Sequence, residues 1–476
     1  MSSGLHNNRN ITGLVTAFSK MTSKSTESHI ERIPNEIKIM IIENLFDEPQ
    51  DLWNLGLTCP VFRSLIFCPS TVAATKVKKE VEPKLMRLVI SVNVALAHTE
   101  RRGSIQFFTW AMRAYQQGPP AEMTLYQASK IVQRHGAISF YAAILSAEAL
   151  LNHPKRDEDW YEWKGLPDPA SHNELMRFKN ALYIYELACN ILPERPNLSL
   201  YSDCALIKMR PHDSPFPRAP PRDSPWANFL VNFAPWECQQ MRCIEILLPA
   251  HLNAFFTNAV GYQLVPVLDA TDLRRFAAAT GLVALHRLEC GKDRHFYDSR
   301  FTVHEYIRPR LKLYPFYVPG NPSNGFEYWS SDPYRHHVDG DRLWFSGEGS
   351  SNMAVRIMSI TETYDINGHF PDTDPGPINA WVATLNSGII FRRSIRDDAF
   401  NCENCMTLWA FVFWDRSRLD TEIIGSIPTR DAMLDEIKSL PAGFAIYDMF
   451  GGSMYRQVNR YGCRMWHDRW GRDDWL

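Results

Sequence analysis

Four stretches of this chain, VKKEVEPKLMRLVISVNVALAH, SIQFFTWAMRAY, LYQASKIVQRHGAISFYAAILSAEALLNH and ELMRFKNALYIYELACNIL, are long, rich in alanine and leucine, and free of strand alternation. That pattern predicts helices. PWECQQMRCIEILLPAHLNAFF (Pro235 to Phe256) and ATDLRRFAAATGLVALHRLE (Ala270 to Glu289) continue it, as do GIIFRRSIRDDAF, TLWAFVFWDRSRLD and AMLDEIKSL. The expected fold class is therefore mainly α, a large helical body with long irregular loops. A chain of 476 residues with 45% hydrophobic and 12% aromatic side chains holds a packed core, with room for two or three domains. Self-similarity at 20–50 residues is missing, which disfavours solenoids and propellers.

One segment breaks the usual rule for a surface helix. RIPNEIKIMIIENLF (Arg32 to Phe46) is apolar almost all the way round. At 100° per residue, Ile37, Ile41 and Leu45 fall on one side and Ile39, Ile42 and Phe46 nearly opposite. Such a helix lies deep in a core or is covered by another protein.

Several boundaries follow from composition. Residues 1–29, rich in Ser, Thr and Asn, read as a disordered leader rather than a mitochondrial presequence. Residues 30–68 form a compact unit: DEPQ (Asp47 to Gln50) is a turn, and DLWNLGLT (Asp51 to Thr58) a second short helix with Asp51 as its N-cap. Pro60 opens a third helix, capped by Thr58 or Cys59. Three short helices bury too little surface to stand alone, so a partner or a following domain is expected. Residues 71–210 form a helical domain, the six-proline stretch 211–226 a loop or linker, and 227–476 a further helical region, one domain with 71–210 or separate.

The unit 30–68 resembles the F-box. IPNEI (Ile33 to Ile37) matches that family's opening Leu-Pro-x-Glu-Leu, and Ile41 and Leu45 match its next apolar anchors. DLWNLGLTCPVFRSL matches the family's ending through Asp51, Leu52, Leu55, Cys59, Phe62 and Leu65, with Pro60 and Phe62 departing from the commonest residues. The segments PWECQQMRCIEILL and LWAFVFWDRSRLD are similar to recurring stretches of large fungal F-box proteins. The resemblance implies three helices clasped by a Skp-type adaptor, which ties the chain to the cullin scaffold of an SCF ubiquitin ligase. The implied adaptor-binding residues are Ile33, Pro34, Ile37, Ile41, Leu45, Leu52, Leu55, Cys59 and Phe62. One side of the oily helix would meet its own domain and the other the adaptor.

Catalytic motifs are scarce. CGKD (Cys290 to Asp293) lacks the rest of a phosphate loop, no Gly-x-Ser-x-Gly elbow occurs, and HEYIR (His304 to Arg308) fails the zinc-protease pattern at Arg308. CENC and CRMWH offer Cys402, Cys405, Cys463 and His467, a four-ligand zinc set whose halves lie far apart in sequence, so ordinary thiols are expected instead. His337 and Asp339, with His467, suggest an iron triad, but that chemistry belongs to a β barrel. Gly347 to Gly349 reads as a turn, and Trp344, Trp381, Trp409 and Trp414 as core indoles. Neither metal nor cofactor is expected.

The net charge of −2 gives no general footprint for nucleic acid or membrane, and no apolar run is long enough to span a bilayer. Ten cysteines without a disulfide rhythm point to a reduced interior, cytoplasmic or nuclear. The expected function is a non-catalytic substrate receptor: adaptor at the F-box, an unknown protein substrate on the helical body. The alternative is a metal- or ligand-binding protein or enzyme with its site in the loop 314–341.

Overall fold

The computed structural model describes residues 33–97, 105–118, 120–153, 166–191, 229, 232–260, 277, 280–290, 372–385, 403–422 and 432. Among these residues every regular element is a helix, and the β pairing is limited to an isolated antiparallel bridge between Ser70 and Met123. The fold is mainly α. The chain divides into two compact units. The first holds residues 1–80 and 120–133, and the second holds 81–119 and 134–476.

The first unit contains α1 (Asn35–Asn44), α2 (Pro49–Thr58), α3 (Pro60–Phe67), α4 (Thr71–Glu80) and the opening turns of α7 (Leu125–Leu151). Pro49 and Pro60 sit at helix starts, where their missing N–H costs nothing. Cys59, in extended conformation, separates α2 from α3. Helix α7 opens with a reciprocal cap: Gln127 N–H donates to the Thr124 hydroxyl and Thr124 N–H to the Gln127 amide oxygen, each 3.0 Å. Phe46, Leu52, Phe62, Ile66 and Val77 form the core. Ser129 donates its hydroxyl to the Phe46 carbonyl, and Lys76 Nζ lies 3.7 Å from the Phe46 ring centroid. Segment 120–133 is thus part of this unit, beyond the expected range 30–68.

The second unit contains α5 (Met86–Leu96), α6 (Ile105–Gln117), the rest of α7, α8 (His172–Ile191), α9 (Pro235–Val260), α10 (Leu282–Glu289), α11 (Gly376–Leu385), α12 (Glu403–Leu408) and α13 (Arg416–Glu422). Its centre is α8 packed on α5 and α9. Positions 180–189 and 236–241 are buried without exception. A helix buried all round lies inside a core, and each large apolar side chain so placed contributes about 1.5–3 kcal/mol. The indoles of Trp381, Trp409 and Trp414 are core.

Three continuous helices expected from periodicity are broken, and the second helix starts earlier than expected. The run from Val77 stops at Glu80 because Pro83 holds Glu82 out of the helical region (ψ 135°) and opens a short 3-10 helix, Pro83–Leu85. Gly281, at φ 76°, interrupts the segment before α10. Within TLWAFVFWDRSRLD, Ala410 is left-handed (φ 56°) and Phe411–Phe413 is a 3-10 turn. Phe411 to Trp414 are all buried across that break. Asp51 lies in the first turn of α2, which starts at Pro49 rather than capping it.

Gly376 sits against the backbone of 414–416: a Cβ there would lie 2.7 Å from the Arg416 nitrogen. Gly136, exposed within α7, has nothing within 4 Å of such a Cβ. Gly376→Ala is expected to destabilise the protein by about 2 kcal/mol or more, and Gly136→Ala to stabilise it by about 0.5–1 kcal/mol. Chemical denaturation of both variants checks the opposite signs.

Candidate functional site

The first unit presents apolar side chains to solvent. On α1, Ile42 and Lys38 are buried, while Ile37, Ile39 and Met40 are 43%, 50% and 55% exposed. Trp53 and Leu57, one turn apart on α2, are 41% and 54% exposed, and Leu65 on α3 and Val72 on α4 are exposed too. Among the described residues, seven of the ten exposed large hydrophobics belong to this smaller unit. Trp53 is propped at its edge by Phe67 (ring centroids 5.1 Å) and Tyr126 (5.2 Å), which fixes its orientation.

The residues expected to bind an adaptor divide by burial. Pro34 and Ile37 are exposed, and Ile33, Ile41, Leu45 and Leu55 are half-buried. Leu52, Cys59 and Phe62 are buried, so they hold the helices together rather than offer a surface. Core-facing and partner-facing positions are both apolar, which is why the sequence pattern grouped them. Trp53, Met40 and Leu57 escaped that reading for the same reason: they sit between the motif's anchors.

Cys402, Cys463, His467 and the side chain of Cys405 lie outside the described residues, as do His337, Asp339, Trp344 and the loop 314–341. Among the described residues no group of three or more His, Cys, Asp or Glu could hold a metal ion. Cys290 Sγ lies 3.3 Å from His286 Nε2 at the C-terminal end of α10.

The second unit carries polar clusters that no local pattern announced. Arg177, 1% exposed, donates Nη1 to the Phe413 carbonyl (2.7 Å) and Nη2 to Asp372 Oδ1 (3.0 Å), pairs through Nε with Asp372, and lies 2.8 Å from Asp415. Glu174 accepts Arg418 Nε and the Asp415 N–H, each at 2.9 Å. These bonds tie the start of α8 to segments 372–376 and 413–418. Elsewhere, Lys179 donates to Glu82 at 2.6 Å, and His135 stands 3.1 Å from Glu82 and 3.0 Å from the Tyr183 hydroxyl. Burial opposes the charge of Glu82, yet His135 and Lys179 hold its carboxyl down at about 2.

Two groups are held in their protonated forms. Burial pushes the Glu237 carboxyl up to about 7, against the Ala234 N–H and the Asn180 amide that bind its charged form. His251 is wedged between Glu148 (2.6 Å) and Glu289 (3.0 Å), and Tyr141 donates to Glu289 at 2.7 Å. Burial disfavours the imidazolium, but the two carboxylates outweigh it and hold His251 at about 9.

No known protein family, curated protein or solved structure matches the chain.

The pH dependence follows from Glu237 and His251. Both folded values lie above the model-peptide values of 4.5 and 6.5, so the folded state binds the extra protons. Each contribution is complete below its unfolded value and is lost as pH rises through the folded one. Stability should fall from pH 4.5 to about 7 through Glu237, and from 6.5 to about 9 through His251. Each decline is about 3 kcal/mol. Glu237→Gln should remove the first decline and His251→Gln the second, in denaturant titrations at stepped pH. A stability that climbs across both windows would contradict the assignment.

Proposed function

We propose that the chain is a substrate receptor of an SCF-type ubiquitin ligase, with α1–α3 docking a Skp-type adaptor and the helical second unit capturing a protein substrate. The observation that carries this reading is the exposure of Ile37 and Met40 on α1 and of Trp53 and Leu57 on α2, within the segment whose spacing resembles the F-box. An apolar helix left open on a soluble unit calls for a cover, and the adaptor is the cover that the resemblance supplies. Through it the receptor reaches the cullin scaffold, in the cytoplasm or the nucleus. Among the described residues no helix is long and apolar enough to cross a membrane.

On this reading the chain works by proximity. It raises the effective concentration of substrate lysines near a ubiquitin-charged carrier bound elsewhere in the complex. What the chain must supply is two binding surfaces, one on each unit.

Capture of purified Skp-type adaptor by the full chain tests the proposal. Pro34→Ala with Ile37→Ala should abolish capture, since losing most of one buried aliphatic contact costs about tenfold or more in affinity. Both residues are exposed, so the far-ultraviolet helical signal should be unchanged. Substrate should still bind the variant while its ubiquitination stops. A wild-type chain that never captures the adaptor would sink the reading.

A further inference from the structure

The exposed side of α1 carries charge of one sign. Residues 33–58 contain five acids, Glu36, Glu43, Asp47, Glu48 and Asp51, and a single base, Lys38. Lys38 is buried, whereas Glu36, Glu43, Asp47 and Asp51 are exposed. Seven residues apart, Glu36 and Glu43 stand within about 20° of one another around α1. Their line runs between the directions of Ile39 and Met40, about 40–60° from each. The apolar surface is therefore threaded by carboxylates, and the next exposed base along the chain is Arg63 on α3.

We propose that this face receives a partner surface consisting of an apolar stripe flanked by lysine or arginine, and that the acidic line selects it. The inference rests on the docking reading above and names the chemistry of the adaptor's contact surface. Apolar contact supplies affinity but discriminates poorly among apolar stripes. Carboxylates beside it repel an acidic or neutral-rimmed competitor and speed the encounter with a basic one. Glu36, in the first turn of α1, also meets the positive pole of its helix. Glu43, in the last turn of α1, gains nothing from its helix dipole.

The test is the association kinetics of the full chain with purified Skp-type adaptor at about 0.05 and 0.5 M salt, conditions that span strong and weak screening. The wild-type association rate should fall about tenfold between them. Neutralising the line (Glu36→Gln, Glu43→Gln) should slow low-salt association about fivefold, shrink the salt response to about twofold or less, and leave dissociation nearly unchanged. Ile37→Ala with Met40→Ala should weaken binding mainly through faster dissociation and keep the salt response. An unchanged salt response, or faster association, in the neutralised chain overturns the acidic-line proposal while the docking reading survives. Wild-type chain that does not bind at all overturns the docking reading itself. Self-association of the wild type that disappears in the Ile37/Met40 variant, with no adaptor bound, assigns the face to a second copy and overturns both.

Discussion

A guanidinium taken out of water has to be met by charge, and Arg177 meets it with Asp372, Asp415 and the Phe413 carbonyl. The second unit depends on that exchange. Removing the arginine would leave aspartates half-buried without their counter-ion, a loss of about 3–5 kcal/mol for a broken buried pair. Because the three partners come from two separate segments, the bond set also decides where those segments lie on α8. Once Asp415 is pinned, the left-handed Ala410 and the turn at Phe411–Phe413 follow, and the indoles of Trp409 and Trp414 fall into the core. Phe178 then stacks on Phe413, ring centroids 3.9 Å apart.

The two units spend their polar and apolar groups differently. In the second, carboxylates such as Glu174, Glu186 and Glu237 are taken inside and bonded, and the large hydrophobics are almost all buried. In the first, most carboxylates stay at the surface, and several large apolar side chains come out with them. A small unit that leaves isoleucine, methionine and tryptophan in water loses stability it could have kept. That arrangement is economical where the same side chains are covered during function.

Much of the helical content was legible because periodicity is a local property: the runs later seen as α7, α8 and α9 stand out in the sequence. The start of α3 at Pro60 after Cys59 was equally visible, since proline fixes its own backbone angle. The breaks at Pro83, Gly281 and Ala410 were not, because a periodic pattern reads straight through them. At the candidate face, Ile37 was identifiable from the apolar wrapping of α1, yet Leu52, Cys59 and Phe62 were grouped with it although they face inward. Composition cannot tell a side chain saved for a partner from one already used. The ion-pair network was invisible for another reason: Arg177 and its partners stand 195 and 236 residues apart.

The first unit is discontinuous: Ser129 and Tyr126 complete a group of helices that otherwise ends at Glu80. On the ribosome, α1–α4 therefore emerge well before the residues that close the Phe46 carbonyl and prop Trp53. Residues 81–119 must be made in the interval, so the apolar face is born early and its support arrives late. During that delay the nascent chain exposes the same isoleucines that the finished protein presents, on helices too short to be steady alone. A chaperone or an early-binding partner would have its best opportunity then, and translation speed across those 39 residues would set how long it lasts.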